Sequence, residues 1–150
     1  MDHEINYLIC SAPRTGSTLL ARALIDTGIA GNPREYFDIR ADNERYWVER
    51  LKVASESDYL NKVIRAGTTP NGVFGAKVHW HQLDVLMQKL AISRPHVHLG
   101  RRPSLARAFP KLRYVWLSRE NKVAQAISYY RAANTKVWRL WNDGRSPPAT

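Results

Sequence analysis

The chain holds a single cysteine, Cys10, among 150 residues. That excludes an intrachain disulfide and any CxxC or zinc-finger framework built on cysteine, and it fits a reducing compartment. Long apolar runs are missing as well. No stretch approaches the ~20 residues needed to span a bilayer, and the opening Met-Asp-His-Glu-Ile-Asn lacks a positive region followed by an apolar one. A soluble, cytoplasmic protein is the expectation. Acidic residues are scarce, 13 against 23 Lys and Arg, leaving a formal charge of +10. This favours anionic partners without choosing among nucleic acid, acidic membrane and nucleotide substrates. Arg101, Arg102, Arg107, Lys111 and Arg113 follow one another with no acidic residue between them, which reads as a solvated positive face. No complete zinc finger or recognition-helix motif accompanies them, so no specific nucleic-acid partner is expected. His79 and His81 stand two apart without a third ligand motif, so no metal is expected and packing or hydrogen bonding is their ordinary reading.

A chain of this length fits one domain over 1–150 and buries ~70% of its unfolded surface. Ile5 to Cys10 is a short, mostly apolar run that reads as a buried strand. From Ser17 the period changes: Leu19, Leu20, Ala23, Leu24 and Thr27 suggest a helical face, with Gly28 as its stop. Gly31 to Phe37 reads as a loop. Glu44 to Ile64 carries one or two helices, with Ser55 to Asp58 as the interruption. Val73 to Val78 is a second strand, and Trp80 to Ala91 resumes helical spacing through Leu83, Leu86, Met87 and Leu90. A basic connector leads to the strand Leu112 to Leu117. Asn121 then caps a helix through Trp138 whose apolar side is Val123, Ala126, Ile127, Tyr130 and Val137. Asp143 to Thr150 reads as a mobile tail. Strands alternating with helices predict an α/β fold, a mostly parallel sheet flanked by helices, with ligands beyond the carboxyl ends of the strands.

Ser11-Ala12-Pro13-Arg14-Thr15-Gly16-Ser17-Thr18 joins the first strand to the first helix. Backbone N–H groups in such a turn surround an anion, Gly16 permits close approach, Arg14 adds a fork of charged donors, and Ser17 or Thr18 adds a hydroxyl. The bland alternative is a helix capped by Ser17 with Arg14 merely exposed. The spacing GxxxxGK[ST] and its lysine are absent, which argues against an ATPase or kinase.

This N-terminal segment, with Gly-Asn-Pro-Arg-Glu-Tyr-Phe at 31–37, Phe-Gly-Ala-Lys-Val-His-Trp at 74–80 and Tyr-Val-Trp-Leu-Ser-Arg-Glu-Asn-Lys-Val-Ala-Gln-Ala-Ile-Ser at 114–128, resembles the Stf0-type sulfotransferases, the family of trehalose 2-sulfotransferase. The resemblance runs over nearly the whole chain. It implies a P-loop-containing nucleotide-binding fold and PAPS as the sulfuryl donor, released as PAP. It further implies that Arg14, Thr15, Gly16, Ser17 and Thr18 grip the donor's 5′-phosphosulfate end, and that Arg119 and Ser128 grip its 3′-phosphate. Without it, Arg119 reads as an exposed arginine and Ser128 as a helix-surface serine. Glu35 matches the family's general base, although it could instead pair with Arg34 or face water. Lys77 would neutralise charge at the transferring group. Tyr36, Phe37, Tyr46 and Trp47 are candidates for the acceptor site or the core, the acceptor being a hydroxylated small molecule, sugar or glycolipid. A homodimer stays open.

Relative to that family the chain looks short at its C-terminal end. Three other readings therefore stand beside sulfuryl transfer: an impaired PAPS- or anion-binding fragment, a P-loop kinase, and a basic nucleic-acid-binding module.

Overall fold

A computed structural model describes residues 5–38, 41–93 and 101–138. Its elements in chain order are β1 (Ile5–Ser11), α1 (Ser17–Asp26), α2 (Ala41–Leu51), α3 (Glu56–Gly67), β2 (Val73–His79), a single 3-10 turn (Trp80–Gln82), α4 (Leu83–Ser93), α5 (Arg101–Ala108), β3 (Leu112–Leu117) and α6 (Lys122–Thr135). The strands form one parallel sheet in the order β2-β1-β3, flanked by helices as an α/β chain requires.

Alternation along β2 sets the two faces. Phe74, Ala76 and Val78 join Leu8 of β1 in the larger core with Leu60 and Val63 of α3, Leu86 and Leu90 of α4, and Leu105 and Phe109 from α5 and just beyond it. The rings of Phe74 and Phe109 stack at 5.1 Å. Burying such side chains contributes about 1.5–3 kcal/mol each. Opposite, Tyr7 and Ile9 of β1 pack under Leu20, Ala21 and Leu24 of α1. On this second face β2 presents Gly75, Lys77 and His79, in register with Tyr7, Ile9 and Ser11. The apolar side of α1 is therefore 17, 20, 21 and 24. Leu19, expected there, is 77% exposed, and Ala23 and Thr27 are exposed as well.

Glu44 to Ile64 divides into α2 and α3. Lys52 takes a left-handed φ of 51° after the last turn of α2, and the N–H of Val53 reaches back to the Val48 carbonyl at 3.0 Å. The buried ammonium of Lys89 then bonds Glu44 at 3.0 Å and Glu56 at 3.1 Å, joining α2, α3 and α4.

Three readings need correction. The basic connector contains α5, which buries Ser104, Leu105 and Ala108 while Arg107 faces solvent. Its apolar positions are too few to overcome the basic composition in a periodicity count. Lys111 and Arg113 are exposed, as a solvated basic face requires, whereas the side chains of Arg101 and Arg102 and the stretch 94–100 lie outside the described residues. The helix capped by Asn121 ends at Thr135, where Lys136 turns left-handed, and the cap itself is made by Asn121 Oδ1 accepting from the N–H of Ala124 at 2.8 Å. Among the described residues nothing covers the apolar side of α6: Val123 is 72% and Tyr130 71% exposed, alongside exposed Ala126, Ile127 and Val137. Among the described strands β3 lies at an edge of the sheet, and its Trp116 is 76% exposed. The tail at 143–150 lies outside the described residues.

Candidate active site

At the carboxyl end of β1 the loop into α1 uses two left-handed residues, Arg14 (φ 65°) and Gly16 (φ 88°). For arginine this conformation costs about 1–2 kcal/mol, and for glycine almost nothing. A Cβ on Gly16 would meet no atom within 4 Å, so backbone angle, not crowding, selects glycine there. The first helical hydrogen bond runs from the N–H of Leu20 to the carbonyl of Gly16 at 3.1 Å. The N–H groups of Ser17, Thr18 and Leu19 precede it and have no carbonyl one turn back, so the start of α1 offers donors to an anion. Gly16, not Ser17, is the capping residue. Ser17 is buried at the first helical position, and Thr15 folds its hydroxyl onto the Ala12 carbonyl at 3.0 Å.

The same loop is tied to α6. Arg14 donates from Nε to Ser128 Oγ at 2.8 Å and from Nη1 to the Trp138 carbonyl at 2.5 Å, while Gln125 Nε2 donates to the Pro13 carbonyl at 2.8 Å. Ser128 is thus no idle surface serine, and Arg14 is half-buried.

Glu35 arrives from the loop between α1 and α2. That loop lies along β2: Arg34 bridges Ala76, the N–H of Lys77 donates to the Arg34 carbonyl at 3.0 Å, and the N–H of Asn32 donates to the Gly67 carbonyl at 2.9 Å. The Trp47 indole donates to the Glu35 carbonyl at 3.0 Å, and the Tyr59 hydroxyl to the Tyr36 carbonyl at 2.5 Å. Tyr36, Phe37 and Trp47, weighed above as acceptor-site residues, are core, and Tyr46 packs edge-on against Trp47 at 4.9 Å. Their apolar bulk anchors the backbone that carries the carboxylate.

The carboxylate meets three groups from β2 and the turn after it. Lys77 Nζ is 2.5 Å from Glu35 Oε1 and donates to Thr18 Oγ1 at 2.9 Å. Gln82 Nε2 donates to Glu35 Oε2 at 3.3 Å, and its amide is oriented by the His79 N–H, which donates to Gln82 Oε1 at 2.9 Å. His79 Nε2 is 3.9 Å from Glu35 Oε2. On its other side, His79 Nδ1 is 2.9 Å from the Ser11 carbonyl and 3.2 Å from Ser11 Oγ. Burial holds the His79 imidazole below its ordinary titration range despite the opposing pull of the Ser11 carbonyl and Glu35.

Arg14, Gly16, Ser17, Thr18, Glu35, Arg119 and Ser128 line one cleft of about 700 Å³, within the size range of small-molecule sites. Thr15 and Lys77 do not line it; Lys77, 3% exposed, stands behind Glu35. Sequence reasoning passed over Asp38, Gln82 and Tyr129, which share the cleft; its reading of His79 as packing or hydrogen bonding agrees with the ring's bonds to Ser11, and His79 lines the cleft as well. Asp38 is 4% exposed and accepts from Asn43 Nδ2 at 2.8 Å. A buried Gln and Asp show no signal in periodicity; only the convergence of β2 with the 31–38 loop brings them together. Among the described residues no group of three or more His, Cys, Asp or Glu could hold a metal ion, and no helix is long and apolar enough to cross a membrane.

A family model for Stf0 sulphotransferase matches residues 6–148. The chain is 30% identical over 179 residues to trehalose 2-sulfotransferase of Mycolicibacterium smegmatis, a match covering 98% of this chain and 62% of that protein. It is 31% identical over 156 residues to trehalose 2-sulfotransferase of Mycobacterium tuberculosis, covering 89% and 58%. The chain therefore spans about six tenths of the length of these curated relatives.

Proposed function

Because the chain belongs to the Stf0 sulphotransferase family, we propose that it transfers a sulfuryl group from PAPS to a hydroxyl of a carbohydrate or glycolipid acceptor. The observation that carries this reading is the meeting, in one cleft, of a loop-and-helix anion site with a carboxylate that a buried lysine keeps close by. PAPS would supply the sulfuryl group and leave as PAP. The donor set suits it: first-turn N–H groups of α1, Arg14, Ser17 and Thr18 for the phosphosulfate, and Arg119 with Ser128 for a second phosphate. This is a P-loop-type use of the β1–α1 turn without the Walker lysine, on a single domain over 1–150.

Glu35 takes the proton of the acceptor hydroxyl, which needs an ionised carboxylate within hydrogen-bond reach. An ammonium at 2.5 Å favours the ionised form, and the Gln82 amide holds the second oxygen. Lys77 therefore acts through Glu35 and is a positioning residue. A carbohydrate acceptor agrees with a cleft wall that also carries Asp38, Tyr129 and Trp138.

Purified protein incubated with PAPS and a panel of sugars, glycolipids and small alcohols should form PAP and sulfated product together. Glu35→Gln should lower turnover by about 10²–10⁴-fold while leaving PAP affinity nearly unchanged. No binding of PAPS at low salt would overturn the reading.

A second reading, donor binding with little turnover, is favoured by one observation. β3, which ends two residues before Arg119, and α6, which carries Ser128, leave Trp116, Val123 and Tyr130 exposed, and a loosely supported site loses reaction geometry before it loses affinity. Calorimetry and the product assay on the same preparation separate the two.

A further inference from the structure

Resting on the reading of Glu35 as base, we propose that His81 hydrogen-bonds a second hydroxyl of the acceptor, so that this site selects polyols over simple alcohols. Contact with the base through one hydroxyl leaves a sugar free to turn about that point. Its neighbouring hydroxyls are chemically alike, and the intended one meets sulfur only when the acceptor is held at a further place. A residue for that task must line the cleft with Glu35, keep its position, and have hydrogen-bonding capacity that the protein does not use.

The turn after β2 meets the first two conditions. Its last residue, Gln82, donates to Glu35 Oε2 at 3.3 Å and accepts the His79 N–H at 2.9 Å, which ties Trp80–Gln82 to the carboxylate. His81, next to Gln82 in this turn, lines the same cleft as Glu35. Its ring stacks on that of His79, with centroids 5.8 Å apart and planes 24° from parallel. His79 is buried and bonded to the Ser11 carbonyl at 2.9 Å, so the surface beneath His81 is itself fixed. A ring held in this way loses less freedom on binding than a loose side chain does.

Hydrogen-bonding capacity separates His81 from its neighbours in the cleft wall. Asp38 accepts from Asn43 at 2.8 Å, Arg22 pairs with Asp26 at 3.9 Å, the His79 ring is committed to Ser11, and Gln82 to Glu35 and the His79 backbone. Leu19 adds only apolar surface. Among the described residues the His81 ring has its stacking contact with His79 and no hydrogen bond or ion pair. Stacking uses the face of an imidazole and leaves its edge, where both nitrogens lie. In the neutral ring one nitrogen donates and the other accepts, and a hydroxyl matches either. A histidine on open surface gives these atoms to water, whereas here they border the space that the acceptor must occupy. One turn thus holds the base through Gln82 and reads the acceptor through His81.

Glucose titrated into the full chain saturated with PAP tests the contact without turnover. It should shift the His81 ring signals in nitrogen-15 NMR, and His81→Ala should weaken glucose binding roughly 3- to 10-fold, the loss of one neutral hydrogen bond. His81→Asn, which keeps a donor and an acceptor, should recover part of the affinity. Trp80 is 78% exposed on the same turn and is not part of the cleft wall, so Trp80→Ala should bind glucose as the wild type does. In the product assay cyclohexanol and its vicinal diol isolate the second hydroxyl. The wild type should favour the diol in kcat/KM, and His81→Ala should erase that preference by raising KM for the diol, with kcat kept within about twofold and cyclohexanol unaffected. Glucose binding that is absent from the wild type, unchanged in His81→Ala, or lost equally in Trp80→Ala overturns the role of His81. So does a wild type without preference for the diol, or a preference that survives His81→Ala, although transfer to cyclohexanol then leaves the sulfuryl-transfer reading standing. His81-dependent glucose binding by a protein that forms no sulfated product keeps the polyol site and overturns that reading instead.

Discussion

Arg14 and Ser128 share a hydrogen bond of 2.8 Å, so the loop after β1 and the helix after β3 are joined through one guanidinium. The two segments proposed above to hold opposite ends of a donor thus meet beyond the carboxyl ends of the neighbouring strands β1 and β3. A hydrogen bond to a charged group is worth about 1.5–3 kcal/mol, so Arg14→Ala should weaken PAP binding by about 10–100-fold. Ser128→Ala should cost about tenfold or less. The double variant should lose less than the sum, since both changes remove the same bond. Calorimetry with PAP checks this, and strictly additive losses would show that the bond does not matter to binding.

Lys77 and Glu35 form an ion pair with exposures of only 3% and 12%. Removing one member leaves the other buried and uncompensated, at a cost of about 3–5 kcal/mol. Lys77→Met should therefore lower the urea midpoint strongly, and adding Glu35→Gln should recover much of the loss. A double variant as unstable as Lys77→Met alone would refute the pairing as the source of the effect.

The seating of the Glu35 loop depends on two glycines. A Cβ on Gly75 would lie 2.6 Å from the Tyr7 ring, whose hydroxyl is held by the Ala30 carbonyl at 2.5 Å. A Cβ on Gly31 would lie 2.7 Å from the Gly75 backbone nitrogen, at a φ of +75°. Gly75→Ala should destabilise by about 1–3 kcal/mol, and Gly31→Ala by more, because backbone yields less than a side chain and the left-handed angle adds strain. Chemical denaturation measures both; an unshifted Gly31→Ala midpoint would contradict this seating.

His79 has its titration lowered by burial from the ordinary 6.5. In the unfolded chain it takes a proton as pH falls through about that value, whereas the folded protein resists until lower pH. The unfolded state then holds more protons, so stability should fall as pH drops below 6.5 and level off below the folded titration point. Above 6.5 the histidine contributes no slope. Denaturation midpoints of the native protein and His79→Asn at pH 7.5 and 5.5 isolate this term by difference, and equal slopes for the two would disprove it.

By itself the sequence determined the local order of the fold. An apolar run before a Gly-bearing turn and an amphipathic segment places β1, the loop after it and α1, and the Asn121 cap sits where its side chain and the following helical residues put it. These features depend on neighbours a few residues away, and periodicity and capping chemistry report on such neighbours. The likeness at Glu35, Arg119 and Ser128 also came from sequence, and the shared cleft brings those residues to one place.

Only tertiary structure decided what each of them touches. Lys77 looked like a cation for the transferring group, yet parallel pairing of β2 with β1 and the bridge at Arg34 turn it onto Glu35. Tyr36, Phe37 and Trp47 looked suited to an acceptor, yet the core claims their rings and uses the Trp47 N–H to hold the Glu35 backbone. The apolar stripe of α6 predicted a buried face, and no described element packs against it. Periodicity reports that a side chain prefers to leave water, whereas its partner is set by strand register and loop closure between residues far apart in the chain, and that is information no local window contains.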